Sequence, residues 1–421
     1  MEAEGIVVVG GGFAGFWAAV AARRIAGAKL SITLVSREPA LQIRPRLYEA
    51  EPKDLAVDLL PLLETVGVEF VAGDVSTVDV SHRRIRLRTG DAIFYARLVV
   101  ATGSTMRRPR VPGAELAHSI DTQREAIVFD ERLAQVVRTS PQPTIAVVGA
   151  GFTGIELALE LRDRIARHGT AVQAEHARII LIDRADVVGR QLGSGPRPAI
   201  ETALAKDRVE LLLAKTITAL GPTRVAFADG ALNTDAVVLA TGMVAAPFAA
   251  KVPGLHDEQG RIVVDQSLRA GSAREIFVAG DAAAADGGDG RPVLQSCQHA
   301  LQLGRFAGEN AARDLLGLPL VDYVQPPYIT CLDLGRAGAV YTRGWDRVVE
   351  RTGSKAKAIK RWINTEVIYP PVDGARETLL ALSCLDPKDQ YPVAMPKAES
   401  MAADTGRINA RSSTEKRRLG S

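Results

Sequence analysis

Cysteine, net charge and long apolar runs are what this sequence has least of, and each shortage removes a class of protein. The three cysteines, Cys297, Cys331 and Cys384, fall late in the chain and are odd in number. A disulfide-stapled secreted scaffold is therefore excluded, and a reducing compartment is expected. Basic and acidic side chains nearly balance, 52 against 49 for a net +3, which leaves no basic stripe for a nucleic acid. Residues 397–421 alone carry six Lys or Arg against three acids, enough to account for that excess. The acidic opening Met1–Gly5 runs straight into a β-branched segment, so no signal peptide is expected. Only Gly5–Ala22 goes 18 residues without a charge, about the length of a membrane span, and its internal pattern argues against one. The expected protein is cytoplasmic, with peripheral contact at the inner face of the plasma membrane as the other placement.

What is present is dense in nucleotide-binding grammar. At 421 residues the chain exceeds one ordinary core and predicts two or three domains. Ile6–Val9 reads as a short buried parallel strand. Gly10, Gly12 and Gly15 then fall as G-x-G-x-x-G around Phe13 and Ala14, and Phe16–Arg24 continues as an Ala-rich helix. Glycine serves such a turn by permitting tight backbone, close approach to a pyrophosphate and close packing of helix on strand. The helix N-terminus supplies unpaired N–H groups and the positive end of its dipole. Leu30–Val35 reads as the next strand, ending in Ser36 and Arg37 where an acid for the adenosine ribose is usual. Arg44 and Pro45 then place guanidinium charge beside a bound group or simply on a solvated loop.

Leu55–Leu63 reads as a helix, and Val68–Val71, Ser76–Asp79 and Arg83–Arg88 as strands. Arg97–Val100 leads into Ala101, Thr102 and Gly103, a small turn of the kind that passes under a ligand. The opening then repeats. Thr144–Val148 precedes Gly149, Gly151 and Gly154 around Phe152 and Thr153, and the following strand Arg178–Ile182 ends in Asp183. Val237–Gly242 echoes Val99–Gly103, and two such units in one chain are far more specific than either alone. Ile276–Ala285 places Asp281 at a strand end, with a flexible GGDG predicted at 287–290. A helix is predicted from about Leu294 to Leu316, a strand over Tyr328–Tyr341, and a basic segment over Gly353–Asn364. The polar tail from about 386 onward is read as disordered.

In order, these motifs resemble the FAD/NAD(P)-dependent pyridine-nucleotide-disulfide oxidoreductase superfamily, over about residues 4–345. The resemblance implies an α/β fold of two Rossmann-like dinucleotide-binding domains, the second inserted in the first, plus a small C-terminal α+β region. On that basis residues 1–115 and 250–325 form the FAD domain and 116–249 the NAD(P)H domain, with 326–385 the C-terminal region and 386–421 the tail. FAD is expected at Gly10, Gly12, Phe13, Ala14 and Gly15, and at Ser36, Arg37, Arg44, Pro45, Val75, Ala101, Thr102, Gly103, Asp281 and Gln298. Gly149, Gly151, Phe152, Thr153, Gly154, Asp183 and Gly242 are expected at the nicotinamide donor. Asp183 favours NADH, because a 2′-phosphate would meet its carboxylate; the adjoining Arg184 tempers that preference and keeps NADPH as the alternative donor.

Within the superfamily, residues 1–296 hold no cysteine, which excludes the disulfide reductases and the sulfide:quinone reductases. The run Cys297–Gly304 is similar to the A-Q-x-A-x-Q-x-G of type II NADH:quinone oxidoreductases in all but its first letter. Pro45, Leu47 and Tyr48 match that family's P-x-L-Y, and Asp333–Gly335 its D-x-G. Gln298 and Gln302 share a helical face and suit quinone carbonyls, and Glu156 is the glutamate the family keeps near the nicotinamide. His299 and Cys297 read as structural. Lys355–Trp362 reads as a solvated face or a contact to anionic lipid. Membrane-bound members end in amphipathic helices, whereas Ala375–Leu385 is short, so the expected partner is a quinone or another small-molecule acceptor. A soluble NAD(P)H-dependent flavin reductase or oxidase of a biosynthetic or detoxifying pathway is one alternative. A non-catalytic, NADH-responsive flavoprotein acting through a protein partner is the other, and a homodimer is left open.

Overall fold

The computed structural model describes residues 5–287, 290–372 and 374–386. The charge-free opening folds as strand Ile6–Val9, a turn, and helix Phe13–Ala26, both buried in the protein rather than spanning lipid. Gly10 explains the abrupt change of direction: its φ is +115°, and a Cβ there would lie 2.2 Å from the Ala101 carbonyl oxygen. Ile6–Val9 is central in a six-stranded sheet, flanked by Ile32–Ser36 and Arg97–Val100, with Glu69–Ala72 beyond the first and Ala273–Val278 beyond the second. These strands are parallel, so both faces are covered and the sequence reads as continuous apolar runs.

The second glycine motif builds the same unit again. Thr144–Val148 is flanked by Arg178–Ile182 and Ala236–Leu239 in a five-stranded parallel sheet. Gly149 repeats the geometry of Gly10, with φ +111° and its Cβ direction 2.2 Å from the Ala240 carbonyl oxygen. All five strands lie in sequence between Arg97–Val100 and Ala273–Val278 of the first sheet, so the second unit is inserted in the first. The duplication extends further than the sequence motifs. Each unit also carries an antiparallel three-stranded meander, Val75–Asp79 to Ala92–Phe94 in one and Ile217–Gly221 to Gly230–Asn233 in the other. The two connections between units pair with each other, Ser104–Met106 against Met243–Ala245.

Helix Cys297–Leu315 returns to the first unit and crosses Phe13–Ala26 at backbone contact. A Cβ at Gly304 would lie 2.3 Å from the Ala14 carbonyl oxygen, and one at Gly308 would lie 2.0 Å from that of Ala18. The chain then forms the hairpin Ile329–Asp333 and Ala339–Arg343, a third strand Val348–Thr352, helix Gly353–Trp362 and helix Arg376–Leu382. Two local expectations are corrected. Leu55–Leu63 is not one helix: Ala56–Asp58 pairs as a strand with Ala40–Gln42, and the helix is Leu60–Val66. Pro61 suits a first helical turn and fixes the start there. Tyr328–Tyr341 is two strands rather than one, because Gly335 and Gly338 take φ of +56° and +100° and turn the chain between them. Gly288 and Asp289 of the predicted GGDG segment, and the tail from 387, lie outside the described residues. Among the described residues no helix is long and apolar enough to cross a membrane.

The helix crossing yields a stability prediction. Gly308→Ala inserts a methyl group where backbone already stands and should destabilise by about 1–3 kcal/mol, as overpacked cores do. Gly271→Ala, whose Cβ meets nothing within 4 Å, should leave the melting temperature near parental. Thermal unfolding of both variants checks this; equal melting points would mean that the crossing yields easily.

Candidate functional site

Both glycine-turn helices start without a cap. Gly12 and Gly151 occupy the N-cap positions with no side-chain hydrogen bond, and neither first turn holds an acid. Helix Gln123–Thr139 shows the contrast, with a complete Thr122–Glu125 capping box. Uncapped N–H groups and an unopposed dipole suit a pyrophosphate. In the first turn Gly12 is open, a Cβ there meeting nothing within 4 Å, while one at Gly15 would strike the Gly10 carbonyl oxygen at 1.7 Å. Phe13 and Ala14 are buried in the helix start, and Ser36 closes the turn from beneath, its Oγ 2.8 Å from the Cβ direction of Gly11. Arg37 is exposed and Val75 half-buried at the start of its strand.

The floor beyond this turn is polar. Asp281 accepts from Ser104 Oγ at 2.6 Å, and Arg44 donates to Ser104 O, to Asp121 O and to Asp121 Oδ1. Burial pushes the Asp281 carboxyl up, against the pull of Arg44 and Ser104. Asp121 also accepts from Met106 N. Thr102 Oγ1 is closed off from water without a hydrogen-bond partner among the described residues. The open Gly12, the unpartnered Thr102 hydroxyl and the half-buried Asp281 are what a dinucleotide with hydroxyl-bearing linker requires, so these residues fit FAD. Pro45 lies in the short turn Arg44–Arg46 that carries Arg44, and Ala101 and Gly103 bound the turn above Gly10. Ser104 and Asp121 escaped the sequence reading, since neither belongs to a motif.

In the second turn Asp183 sits at the strand end, as expected, and is held from two sides. Its Oδ2 accepts from Ala150 N at 2.6 Å and its Oδ1 from Ala185 N at 2.8 Å. Gln191 reaches over Gly151, whose Cβ direction is 2.4 Å from Gln191 Nε2. Phe152 and Thr153 open the helix, and Gly242, at φ +87°, follows the Ala236–Leu239 strand.

The third group of residues is assembled from three parts of the chain. Glu156, buried in the second turn of helix Phe152–His168, accepts from Lys360 Nζ at 2.9 Å and from Asp333 N at 2.9 Å. Asp333 in turn accepts from Lys357 Nζ at 2.5 Å and from Tyr48 OH at 3.2 Å. The Lys360 ammonium also lies over the rings of Tyr48 and Phe152. Burial pushes the Glu156 carboxyl up to about 7, against Lys360 and the Asp333 N–H. Burial alone would lower the Lys360 amine, but the Glu156 carboxylate beside it pushes it up. The segment Lys355–Trp362 is therefore not simply a solvated face: it is a helix that buries Lys360 and half-buries Lys357, leaving Lys355 and Arg361 outside. Only the amphipathic spacing of Ala356, Ile359 and Lys360 hinted at this.

The N-terminus of helix Cys297–Leu315 meets the same region. Gln298 is half-buried, and its Oε1 accepts from Ile329 N at 3.4 Å, at the start of the strand that ends in Asp333. Gln302, one turn further, is buried. His299 is buried, bonded through Nδ1 to Ser296 Oγ at 2.8 Å, and burial lowers its pKa to about 4. Burial pushes the Cys297 thiol up to about 11, so neither side chain is poised for proton transfer or attack near neutral pH.

Known proteins carry the same design. A family model for pyridine nucleotide-disulphide oxidoreductases matches residues 4–304. An NADH dehydrogenase-like protein of Mycobacterium tuberculosis is 39% identical over 387 residues, covering 89% of this chain and 97% of that one. A type II NADH:quinone oxidoreductase of Staphylococcus epidermidis is 26% identical over 396 residues, covering 86% and 95%. Among solved structures, the sulfide:quinone oxidoreductase of Aquifex aeolicus superposes with a TM-score of 0.72 at 20% identity, over 86% of this chain and 90% of that one; at that identity the likeness is one of fold. With two glycine turns built alike, a polar floor beyond the first and a matching relative along nearly its whole length, this chain belongs to the pyridine nucleotide-disulphide oxidoreductase family, with FAD and NADH as its cofactors.

Proposed function

We propose that the protein oxidises NADH and passes the electrons to a quinone-like small molecule. The observation that carries this reading is the buried Glu156–Lys360 pair set against the N-terminus of helix Cys297–Leu315. The relative named as a type II NADH:quinone oxidoreductase supports it. FAD, when bound, supplies a group that accepts hydride and gives up electrons singly or in pairs. Everything else in the reaction falls to the chain.

Gly10–Gly15 and Gly149–Gly154 hold the two dinucleotides by their pyrophosphates, and Asp281, Ser104 and Arg44 fix the linker of the first. A quinone that gains two electrons must also gain two protons. Glu156 is placed for one of them, since a carboxyl with a pKa of about 7 holds and releases a proton near neutrality. Lys360 steadies the carboxylate left behind and the negative charge that develops on the acceptor. The Gln298 amide, at the end of a helix whose positive pole faces the same region, orients a carbonyl without adding charge. The domain limits given above, 1–115 with 250–325, 116–249 and 326–385, are part of this proposal, as is a cytoplasmic or membrane-apposed setting.

Glu156 makes the reaction pH-dependent with a definite sign. Its carboxyl is protonated below about 7 and empties above it, so acceptor reduction should slow as pH rises through that value. Glu156→Gln should flatten this limb while bleaching of the flavin by NADH stays within a few-fold of parental. Stopped-flow rates from pH 5.5 to 8.5 with a short-chain quinone decide it; an unchanged limb in Glu156→Gln would remove the carboxyl from the proton route.

Gln298→Leu tests the acceptor side separately. Reduction of the flavin by NADH should persist, and reoxidation by the quinone should slow by less than the roughly 10²–10³ assigned to a rigid, dry oxyanion donor. Parental reoxidation with every quinone tried would leave Gln298 as scaffold and take the amide out of the acceptor site.

A further inference from the structure

Three basic side chains gather at the end of helix Phe13–Ala26 opposite its glycine turn, about 20 Å from Gly12 at 1.5 Å per residue. Arg23, Lys29 and Arg376 line an open cavity of about 450 Å³, with Ser31, Gly27 and Gly67 among the other lining residues. Two helices end there, Phe13–Ala26 at Gly27 and Leu60–Val66 at Gly67, and a third, Arg376–Leu382, begins there. Glycine takes both C-caps, at φ +56° and +76°, and a Cβ at Gly27 would meet nothing within 4 Å. No capping side chain therefore fills the space.

The charges around this cavity do not balance. Arg23 is buried, donating from Nη1 to Gly27 O at 2.5 Å and Leu30 O at 3.0 Å, and from Nη2 to Gly67 O at 2.6 Å. Its Nε is shut off from water with no hydrogen-bond partner among the described residues. Burial lowers the Arg23 pKa, and the neighbouring Arg376 charge lowers it further. Arg376 uses one N–H, from Nη1 to Thr65 O at 3.1 Å, and Lys29 is exposed. Among the described residues no carboxylate lies within ion-pair distance of any of the three cations. Glu64 and Glu377, close in sequence, are exposed and outside the lining. Each helix C-terminus offers about half a negative charge. Two of them leave a surplus of about two positive charges against three cations. Arg23 already meets the carbonyls at both caps, so Lys29 and the remaining Arg376 N–H groups add charge that the caps do not use.

We propose that this cavity binds a phosphate-class dianion, either inorganic phosphate or a phosphate monoester. Lys29 and the Arg376 N–H groups not used by Thr65 hold its oxygens, as ammonium and guanidinium groups do, and the buried Arg23 charge stands behind them. A volume of about 450 Å³ falls within the range of small-molecule sites, about 300–1,000 Å³, so a monoester fits as well as the bare ion. The site is separate from both glycine turns and from the Glu156–Lys360 pair. Its occupant bridges helix Arg376–Leu382 to the first unit, where that helix is also tied by Arg24 Nε donating to Ser383 Oγ at 3.2 Å. Occupancy therefore sets how firmly the C-terminal helix is docked.

The test uses the full chain loaded with FAD and saturated with NAD⁺, so that both glycine turns are occupied. Inorganic phosphate and glycerol 3-phosphate are titrated calorimetrically at about pH 7.5, where both are chiefly dianionic. Melting temperatures are compared in phosphate and in chloride at equal ionic strength, which holds general screening fixed. Phosphate should raise the melting temperature above its value in chloride, and one molecule of probe should bind per chain. Tighter binding of glycerol 3-phosphate than of phosphate would identify a monoester as the occupant, and the reverse the bare ion. Lys29→Gln, an exposed change that leaves the fold intact, should weaken binding by about tenfold, the loss of one charge-assisted hydrogen bond. Lys355→Gln removes an equal charge from an exposed position outside the cavity and should leave the affinity near parental. Equal weakening by the two lysine variants overturns the proposal, because the attraction would then be to net charge alone. So does a melting temperature no higher in phosphate than in chloride, or the binding of neither probe.

Discussion

The backbone contact between helices Phe13–Ala26 and Cys297–Leu315 is the constraint on which the site depends. Gly304 over Ala14 and Gly308 over Ala18 let the two helices approach as far as their main chains allow. No larger residue would leave the second helix in that position. The consequence is that its N-terminus, with Gln298, arrives beside the first glycine turn from a part of the sequence nearly three hundred residues away. Packing at this closeness gains dispersion contacts along the whole crossing, and it also aims a helix pole at the region of the Glu156–Lys360 pair, where the proposed reaction has reduced cofactor and acceptor meet. Stability and placement come from the same small side chains.

The buried charges are the other side of that economy. An ion pair such as Glu156–Lys360 costs several kcal/mol per ion to desolvate unless its remaining hydrogen-bonding capacity is met. Here Asp333 N–H meets part of it, and two aromatic faces lie against the ammonium. A hydrophobic pair of similar volume would hold the C-terminal helix in place at least as well. What it could not do is keep a carboxyl that titrates near neutrality inside a closed site, which is why a functional reason for the pair is the economical one.

Duplication and divergence separate the two nucleotide sites. The turns are superimposable in their constraints, with Gly10 under Ala101 and Gly149 under Ala240. Their strand ends differ, Ser36 in one and Asp183 in the other, and their open glycines differ too. Gly12 faces free space, whereas Gln191 lies across Gly151. One backbone solution stands twice, with different side chains around it.

Much of this was legible in the sequence, for a local reason. A glycine that must take positive φ against a neighbouring carbonyl, a strand that must be apolar on both faces and an acid at a strand end are demands made within a few residues, so they leave spaced motifs. The nucleotide turns, the second copy of that unit, the position of Asp281 and the helix after it follow from such demands, whereas the insertion of the second unit in the first was implied by the family resemblance. The failures were those where a local pattern had two solutions: Leu55–Leu63 fits a helix or a strand before a proline-started helix, and Tyr328–Tyr341 hides its turn behind alternating residues. Only the tertiary structure decided what Lys360, Asp121 and Ser104 meet. Each is an ordinary polar residue in its own segment. Each acquires its role from a partner brought near by packing, as Lys360 meets Glu156 from more than two hundred residues away. Long-range pairing of charges leaves no periodic trace in one sequence, whereas backbone strain and burial do.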